Sequence, residues 1–168
     1  MAALGYTNLT PDQIARMHQY AVGPAYVREM AGFGYVGLDA EMLITFKWLA
    51  VSTSYIKEMK SFGYERLSPH LLANFRQYGV SSRYIKEMRL RLSGDITAEQ
   101  LVSLRLFGAS ADFLDNLKAL GYENLNAGQV ISMRIQGVTI AYIEQVQARL
   151  SKHVSANDLI DMRMRNIH

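Results

Sequence analysis

A period of 29 residues runs through the whole chain and leaves few folds open to it. The pentapeptide YIKEM begins at Tyr55 and again at Tyr84, which is 29 residues later. The same spacing separates Gly5, Gly34 and Gly63, and it aligns all 168 residues without an insertion. A fixed period of this length is typical of solenoids, in which each repeat packs on its neighbours along the chain.

Each period contains the sequence pattern of a helix, which we call helix A. Residues at equivalent positions in successive repeats form a column. One column holds six residues of the types that cap helix N-termini: Thr10, Asp39, Ser68, Thr97, Asn126 and Ser155. Pro or Ala follows each cap, and Gln13, Gln100 and Gln129 stand where a capping box closes. Apolar columns follow at helical spacing, beginning with Ile14 and Met17. The pattern ends at a column suited to left-handed C-terminal caps: Ala21, Ala50, Gly79, Gly108, Gly137 and Asn166.

A second helix, helix B, is predicted after each helix A. Its cap column reads Gly23, Ser52, Ser81, Ser110 and Thr139. Apolar residues such as Tyr55, Ile56 and Met59 then fall on one helix face, and Gly63 ends the pattern. The fourth boundary departs from this rule, because Arg91 to Asp95 reads RLSGD. We therefore expect helix B of the third repeat to run longer or to end differently.

These patterns predict an all-α fold. Its architecture would be a right-handed α-solenoid of helix-turn-helix repeats, similar in general arrangement to tetratricopeptide repeats. The repeats would span residues 5–33, 34–62, 63–91, 92–120 and 121–149, with a partial repeat over 150–168. This gives five full repeats and one C-terminal helix, about 11 helices of roughly ten to twelve residues each, in a single domain of residues 1–168.

Composition excludes several kinds of site. The absence of Cys excludes disulfides, zinc-thiolate sites and a Cys nucleophile. The formal charge of +3 is too small to predict a nucleic-acid or membrane partner by itself. Apolar runs fall short of the ~18 residues that cross a bilayer, and no signal peptide is visible, so we expect a soluble, cytoplasmic protein without membrane insertion.

No pattern in the chain indicates catalysis, a metal or a cofactor. GFGYVG, from Gly32 to Gly37, matches a phosphate-binding pattern, but it follows a predicted helix where that pattern requires a strand. The histidines occupy different columns and lack metal-ligand spacing: His18, His70, His153 and His168. We therefore expect a protein that is not an enzyme.

One column places a cation or a histidine near the end of every helix A: His18, Lys47, Arg76, Arg105, Arg134 and Arg163. We call this the cation column. The interpretation we favour is packing, with the Arg stems along the apolar seam and the guanidinium groups on last-turn carbonyls or on Glu29, Glu58 and Glu87. The alternative is a basic surface that binds an acidic peptide or phosphates.

The repeats resemble a known bacterial family. LGYENLNAGQVISMRIQGVTIAYIEQV (Leu120 to Val146) and FGYERLSPHLLANFRQYGVSSRYIKEM (Phe62 to Met88) are similar to short helical repeats that follow the membrane-embedded zinc peptidase domain in some relatives of the β-lactam-sensing antirepressors. The resemblance covers almost the whole chain. It implies a non-catalytic interaction array of the kind found in larger sensor proteins, and no peptidase activity, because the H-E-x-x-H motif of the peptidase is absent.

The first functional hypothesis is a scaffold that binds a protein or peptide partner on a face made of one helix per repeat. Two columns change character between repeats, as a recognition surface should: Gln19, Trp48, Gln77, Leu106, Ile135 and Arg16, Thr45, Asn74, Ser103, Ser132. The candidate partner-binding residues are Trp48, Gln19, Gln77, Arg76, Arg105, Arg134 and Arg163, with Trp48, the only Trp, as the first to test.

Two other functions remain open. Nucleic acid could bind through the cation column. A small molecule could bind between the Met- and Tyr-rich helices. End-to-end self-association is also conceivable, because the C-terminal helix A has no following helix B to cover its apolar flank.

Overall fold

The computed structural model describes residues 1–165, and these residues are almost entirely helical. A short 3₁₀ helix, Ala2–Leu4, comes first. The described residues then form eleven α-helices: α1 (Pro11–Gln19), α2 (Pro24–Gly32), α3 (Ala40–Trp48), α4 (Thr53–Ser61), α5 (Pro69–Gln77), α6 (Ser82–Arg91), α7 (Ala98–Leu106), α8 (Ala111–Ala119), α9 (Ala127–Ile135), α10 (Ile140–Leu150) and α11 (Ala156–Met164). Odd-numbered helices are helices A and even-numbered ones are helices B. The all-α prediction and the number of helices are confirmed.

The helices begin where the cap columns predicted. The hydroxyl of Thr10 accepts a hydrogen bond from the N–H of Gln13 at 3.1 Å, and the Gln13 side chain accepts one from the N–H of Thr10 at 3.0 Å. The same capping box closes at Thr97 and at Asn126. These bonds satisfy N–H groups that have no partner within the helix.

Helices α1, α3, α5, α7 and α9 end in left-handed residues at the predicted positions. Ala50 has φ 54°, and the N–H of Val51 reaches back to the carbonyl of Phe46 at 2.7 Å, which closes a Schellman motif. Helix B ends in the same way, with Gly63 at φ 87° and the N–H of Tyr64 bonded to the carbonyl of Met59. Because both ends are capped so tightly, most of the helices have nine residues, fewer than the expected ten to twelve.

The chain divides into two compact units, residues 1–82 and the part that begins at Arg83. In the first unit α1 packs on α3, and α3 packs on α5. In the second unit α7 packs on α9 and α9 on α11, while α8 packs on α10. Within each unit, successive helices A therefore lie side by side, as a helical repeat requires.

The buried side chains come from the apolar columns. Leu72 and Phe75 of α5 and Met59 of α4 are among the largest side chains that are fully buried. Among the described residues, no polar or charged residue is buried, so the core is built from apolar side chains and polar groups remain at its rim.

The fourth boundary has its own geometry. α6 has ten residues and ends at Arg91, which confirms the expectation of a longer helix there. In other repeats a loop tyrosine hydroxyl donates to a carbonyl of the next repeat, as Tyr122 does to Val154 at 2.7 Å. At the equivalent position Ser93 makes this contact with its backbone, since its N–H donates to the carbonyl of Leu125 at 2.9 Å. The result is an isolated parallel β-bridge between Ser93 and Asn126.

Two residues named in the sequence patterns, Asn166 and His168, lie outside the described residues. Over the part that is described, none of the helices combines the length and the apolar character needed to cross a membrane.

Candidate partner-binding surface

The cation column stacks on the aromatic rings of helices B. The Nζ atom of Lys47 lies 4.2 Å from the ring centre of Tyr26. The guanidinium carbons lie at 4.7 Å for Arg76 over Tyr55, 3.9 Å for Arg105 over Tyr84, 4.8 Å for Arg134 over Phe113 and 4.3 Å for Arg163 over Tyr142. Such contacts stabilise by about 0.5–2 kcal/mol each, depending on how well water is excluded.

The same guanidinium groups bond to the end of the preceding helix A. Nε of Arg76 donates to the carbonyl of Leu49 at 2.9 Å, and Nε of Arg134 donates to the carbonyl of Phe107 at 2.8 Å. Nη2 of Arg163 donates to the carbonyl of Gly137 at 3.1 Å. These carbonyls lie at or just beyond helix C-termini, where a cation is favoured. The cation column therefore has the geometry of the packing interpretation, with side chains stacked on rings and guanidinium groups bonded to carbonyls at helix ends.

Two of the glutamates considered as partners have other contacts. Glu29 accepts a hydrogen bond from the Thr53 hydroxyl at 3.1 Å. Glu87 pairs with Arg83 on its own helix at 2.8 Å. The guanidinium groups of Arg76, Arg134 and Arg163 are instead held by carbonyls and rings, so they join one repeat to the next within each unit.

The helix B tyrosines are packing residues as well. The hydroxyls of Tyr26, Tyr55 and Tyr84 donate to the carbonyls of Val51, Val80 and Ala109 at 3.1, 2.6 and 3.0 Å. Burial raises the pKa of Tyr84 to about 12, although the nearby Arg105 cation lowers it. Burial likewise raises the pKa of Tyr55 and of Tyr26. Because these hydroxyls and ring faces are occupied, they are not platforms for stacking nucleic-acid bases.

The column one residue after the cations points away from the core. We call it the exposed column, and its members are Gln19, Trp48, Gln77, Leu106, Ile135 and Met164. Each is the last residue of its helix A. The side chain of Trp48 is 66% exposed, and Leu106, Ile135 and Met164 are 52%, 52% and 56% exposed. Single exposed apolar side chains are common on protein surfaces, so it is the grouping of such residues that indicates a binding surface.

In the second unit the exposed column belongs to a continuous apolar face. One helical turn before Leu106, Ile135 and Met164, the half-buried residues Val102, Ile131 and Ile160 lie on the same side of each helix. Since α7 contacts α9 and α9 contacts α11, these six residues form two parallel rows across three helices. We call this set the apolar face: Val102, Leu106, Ile131, Ile135, Ile160 and Met164.

The first unit presents a different surface at the same positions. On α3, Trp48 lies one helical turn after the buried Ile44, and the neighbouring helices carry Gln19 and Gln77 at the position of Trp48. Arg16, one turn before the end of α1, pairs with Glu41 of α3 at 2.7 Å. The surface is therefore a single large aromatic side chain in polar surroundings.

Sequence reasoning identified two of the six residues of the apolar face and missed Met164 as well as the row one turn earlier. Leu106 and Ile135 were recognised because their column varies between repeats. Val102, Ile131 and Ile160 were overlooked because an apolar residue at helical spacing reads as core. The available signal was a bulky apolar residue four positions before the exposed column in each of the last three repeats, whereas the first and third repeats have Ala15 and Ala73 there.

The described residues hold no group of three or more His, Asp or Glu side chains placed to bind a metal ion. The GFGYVG stretch follows α2, which ends at Gly32, and leads into a loop in which Gly34 has φ 95° and Gly37 has φ 69°. It lacks the preceding strand of a nucleotide-binding turn.

Comparison with known protein families, with curated proteins and with solved structures finds no match to this chain. The chemistry of the helix A surface is therefore the basis on which a function can be proposed.

Proposed function

We propose that this chain is a non-catalytic repeat scaffold that binds a protein or peptide partner across the last turns of its helices A. The observation that carries the proposal is the exposed column. It places Trp48 on the first unit and Leu106, Ile135 and Met164 on the second, all more than half exposed. Tryptophan and clustered aliphatic side chains on a rigid surface are typical anchors of protein interfaces.

The geometry that recurs from repeat to repeat supports this proposal. The caps, the stacked cations and the tyrosine hydrogen bonds recur from repeat to repeat, and they fix the helices on which the exposed column stands. The exposed column differs between repeats while its backbone position stays the same. A rigid framework with variable surface residues is how repeat proteins acquire specificity. The resemblance to repeats attached to bacterial sensor proteins agrees with an interaction role.

The two alternatives have weaker support. Nucleic-acid binding would need the Arg side chains to face phosphates, whereas Arg76, Arg134 and Arg163 direct donors to carbonyls. For a small molecule, a groove of about 430 Å³ in the second unit is lined in part by the charged residues Arg91, Asp115 and Lys118. A more apolar groove of about 370 Å³ lies between the N-terminal segment and α1, not between the Met- and Tyr-rich helices.

Affinity capture with matched surface variants tests the proposal. The bait would be the wild-type chain, the double variant Leu106→Gln/Ile135→Gln, and Leu90→Gln as a control, because Leu90 is also apolar and 81% exposed but lies on helix B. We expect partners captured by the wild-type chain to be lost from the double variant and retained by Leu90→Gln. Retention of the same partners by the double variant and by Trp48→Ala would refute this use of the surface.

A further inference from the structure

We propose that the apolar face of the second unit binds an amphipathic helix that carries acidic residues along one edge of its apolar stripe. This inference rests on the proposed function and names the chemical class of the partner. It follows from the shape of the face, from the kind of side chains in it and from the charges beside it.

The shape of the face matches one helix. Its two rows are four residues apart along each helix A, which corresponds to about 6 Å. Its length spans three packed helices, which at ~8–10 Å between axes gives about 16–20 Å from α7 to α11. A helix of about 15 residues covers this length and has an apolar stripe of comparable width.

The spacing of the helices sets the anchor positions of the partner. Residues seven apart on a helix are separated by about 10.5 Å, close to one step between neighbouring helices A. Partner residues at i, i+7 and i+14 could therefore contact Leu106, Ile135 and Met164 in turn. Residues at i+3 or i+4 would fill the spaces between them.

The chemistry of the face favours a helix over an extended, proline-rich segment. Grooves that bind proline-rich segments are lined by aromatic side chains, whereas grooves that bind amphipathic helices hold aliphatic side chains and Met. All six residues of the apolar face are Val, Leu, Ile or Met. Met and Leu adapt their rotamers to the anchors of a helix.

The charges beside the face determine the charge of the partner. Arg105, Arg134 and Arg163 immediately precede Leu106, Ile135 and Met164, so three cations follow one edge of the face. Arg105 is held by stacking on Tyr84, and Arg134 and Arg163 also donate to carbonyls. All three keep their positive charge, which acts on nearby carboxylates of a partner without replacing these bonds. The opposite edge carries Ser103, Ser132 and Asp161. Carboxylates on the edge that faces the arginines would therefore improve both affinity and orientation.

Selection from a display library of random 20-residue peptides on the full chain tests this inference. We expect enriched peptides to contain apolar residues at i, i+3 or i+4 and i+7, with Asp or Glu beside them. Synthesised singly, they should gain helical circular dichroism on binding. Their affinity should fall at least tenfold on Leu106→Gln/Ile135→Gln and stay within twofold on Leu90→Gln.

The charge requirement is tested on the peptide, so that the protein remains intact. Replacing the Asp and Glu residues of an enriched peptide by Asn and Gln should weaken binding at least fivefold and flatten its salt dependence. Arg163→Gln gives the complementary test from the protein, with the exposed Arg28→Gln in the first unit as its control.

The outcomes separate the two proposals. Peptides that depend on the apolar face but are basic, or that are proline-rich and stay non-helical, overturn the acidic helix and leave partner binding in place. Charge-neutral variants that bind as well as the acidic peptides also overturn the acidic requirement. No enrichment, or peptides that bind the double variant unchanged, overturn both.

Discussion

At the scale of single residues, the five full repeats share a left-handed backbone conformation after helix A, but the residue type at this position varies. The second residue after each of α1, α3, α5, α7 and α9 is left-handed: Gly79, Gly108 and Gly137 have φ values of 68°, 72° and 69°. Ala21 and Ala50 occupy the same position at 53° and 54°. Alanine pays a steric cost in this region because its Cβ approaches the following carbonyl. The first two repeats therefore carry local strain that the later ones avoid.

Replacing Ala50 by Gly should remove that strain. Ala50 is exposed, so its methyl group contributes little packing, and the gain outweighs the extra chain entropy of Gly in the unfolded state. We expect Ala50→Gly to raise the free energy of unfolding by about 0.5–1 kcal/mol, measured by urea denaturation. The reverse change, Gly79→Ala, should lower it by a similar amount. Equal stability of all three chains would contradict the steric explanation.

A second residue-level prediction concerns Phe113, which lacks the hydroxyl that its equivalents use. Tyr55 and Tyr84 donate to the carbonyls of Val80 and Ala109, which lie 25 residues later. The equivalent carbonyl for Phe113 is that of Val138. We expect Phe113→Tyr to raise the free energy of unfolding by about 0.5–1.5 kcal/mol through one added hydrogen bond. Tyr55→Phe, the matched control, should lower it. A loss of stability in both variants would show that the site around Phe113 has no room for the hydroxyl.

At the scale of helices and loops, neighbouring hairpins within a unit are joined by tyrosines and cations. The hydroxyl of Tyr35 donates to the carbonyl of Leu67 at 3.2 Å, and that of Tyr6 donates to the carbonyl of Leu38. The helix B tyrosines make a second row of such bonds, on which the cation column stacks. Each helix has only nine residues in most repeats and would be marginal in isolation, so these contacts between hairpins supply part of its stability.

This arrangement predicts instability in alkali. Burial raises the pKa of Tyr84 from 10.0 to about 12, and it raises the pKa of Tyr26, Tyr35, Tyr55 and Tyr122 as well. The folded state therefore holds the phenol proton more tightly than the unfolded state. The protonated Tyr84 phenol therefore stabilises the fold fully below pH 10, and this stabilisation is lost as the pH rises from 10 toward 12. Each such tyrosine should contribute a decline of up to about 1.4 kcal/mol per pH unit in that interval.

Urea denaturation at pH 8, 9, 10 and 11 measures this decline. Stability should be nearly constant between pH 8 and 9 and should fall steeply above 10. In Tyr84→Phe the slope above pH 10 should be smaller by the share of one tyrosine, whatever the stability of this variant at pH 8. An unchanged slope would mean that Tyr84 ionises equally well in the folded state.

The helices and their limits could be predicted from sequence because their determinants are local. Thr10 with Gln13, and the left-handed residues such as Gly79, act within one turn of the chain, so the residue type is sufficient to place them. Carbonyls at helix ends were predicted as one kind of arginine partner, but the particular residues, such as Leu49 for Arg76 and Val80 for Tyr55, could not be predicted, because they meet only through the stacking of hairpins. Of the apolar face only Leu106 and Ile135 were predicted, because whether a residue such as Ile131 is core or surface depends on what packs against it.

At the scale of the whole chain, stability should be uneven, because each repeat is supported mainly by its neighbours. The first apolar column shows this in the first unit. Leu43 and Leu72 are buried almost completely, whereas Ile14 at the same position of α1 is 50% exposed. Ile14, Met17 and Pro24 line part of a groove of about 370 Å³ on that side of α1. No earlier helix B of the described chain covers this side, so α1 has fewer apolar contacts than α3 or α5.

Truncation of equivalent residues should therefore have unequal effects. Ile14→Ala removes a side chain that is already half in water, and we expect it to lower the free energy of unfolding by about 1 kcal/mol or less. Leu72→Ala creates a cavity in a filled core and should cost about 2–5 kcal/mol. Native-state hydrogen exchange should show the same order, with amides of α1 opening at lower free energy than those of α3 and α5.

If Ile14→Ala costs as much as Leu72→Ala and α1 is equally protected, then α1 is covered in solution. The molecular mass of the protein in solution would show whether a second copy covers α1. In that case the wild-type chain and Leu90→Gln should be dimers, and Ile14→Ala should be a monomer.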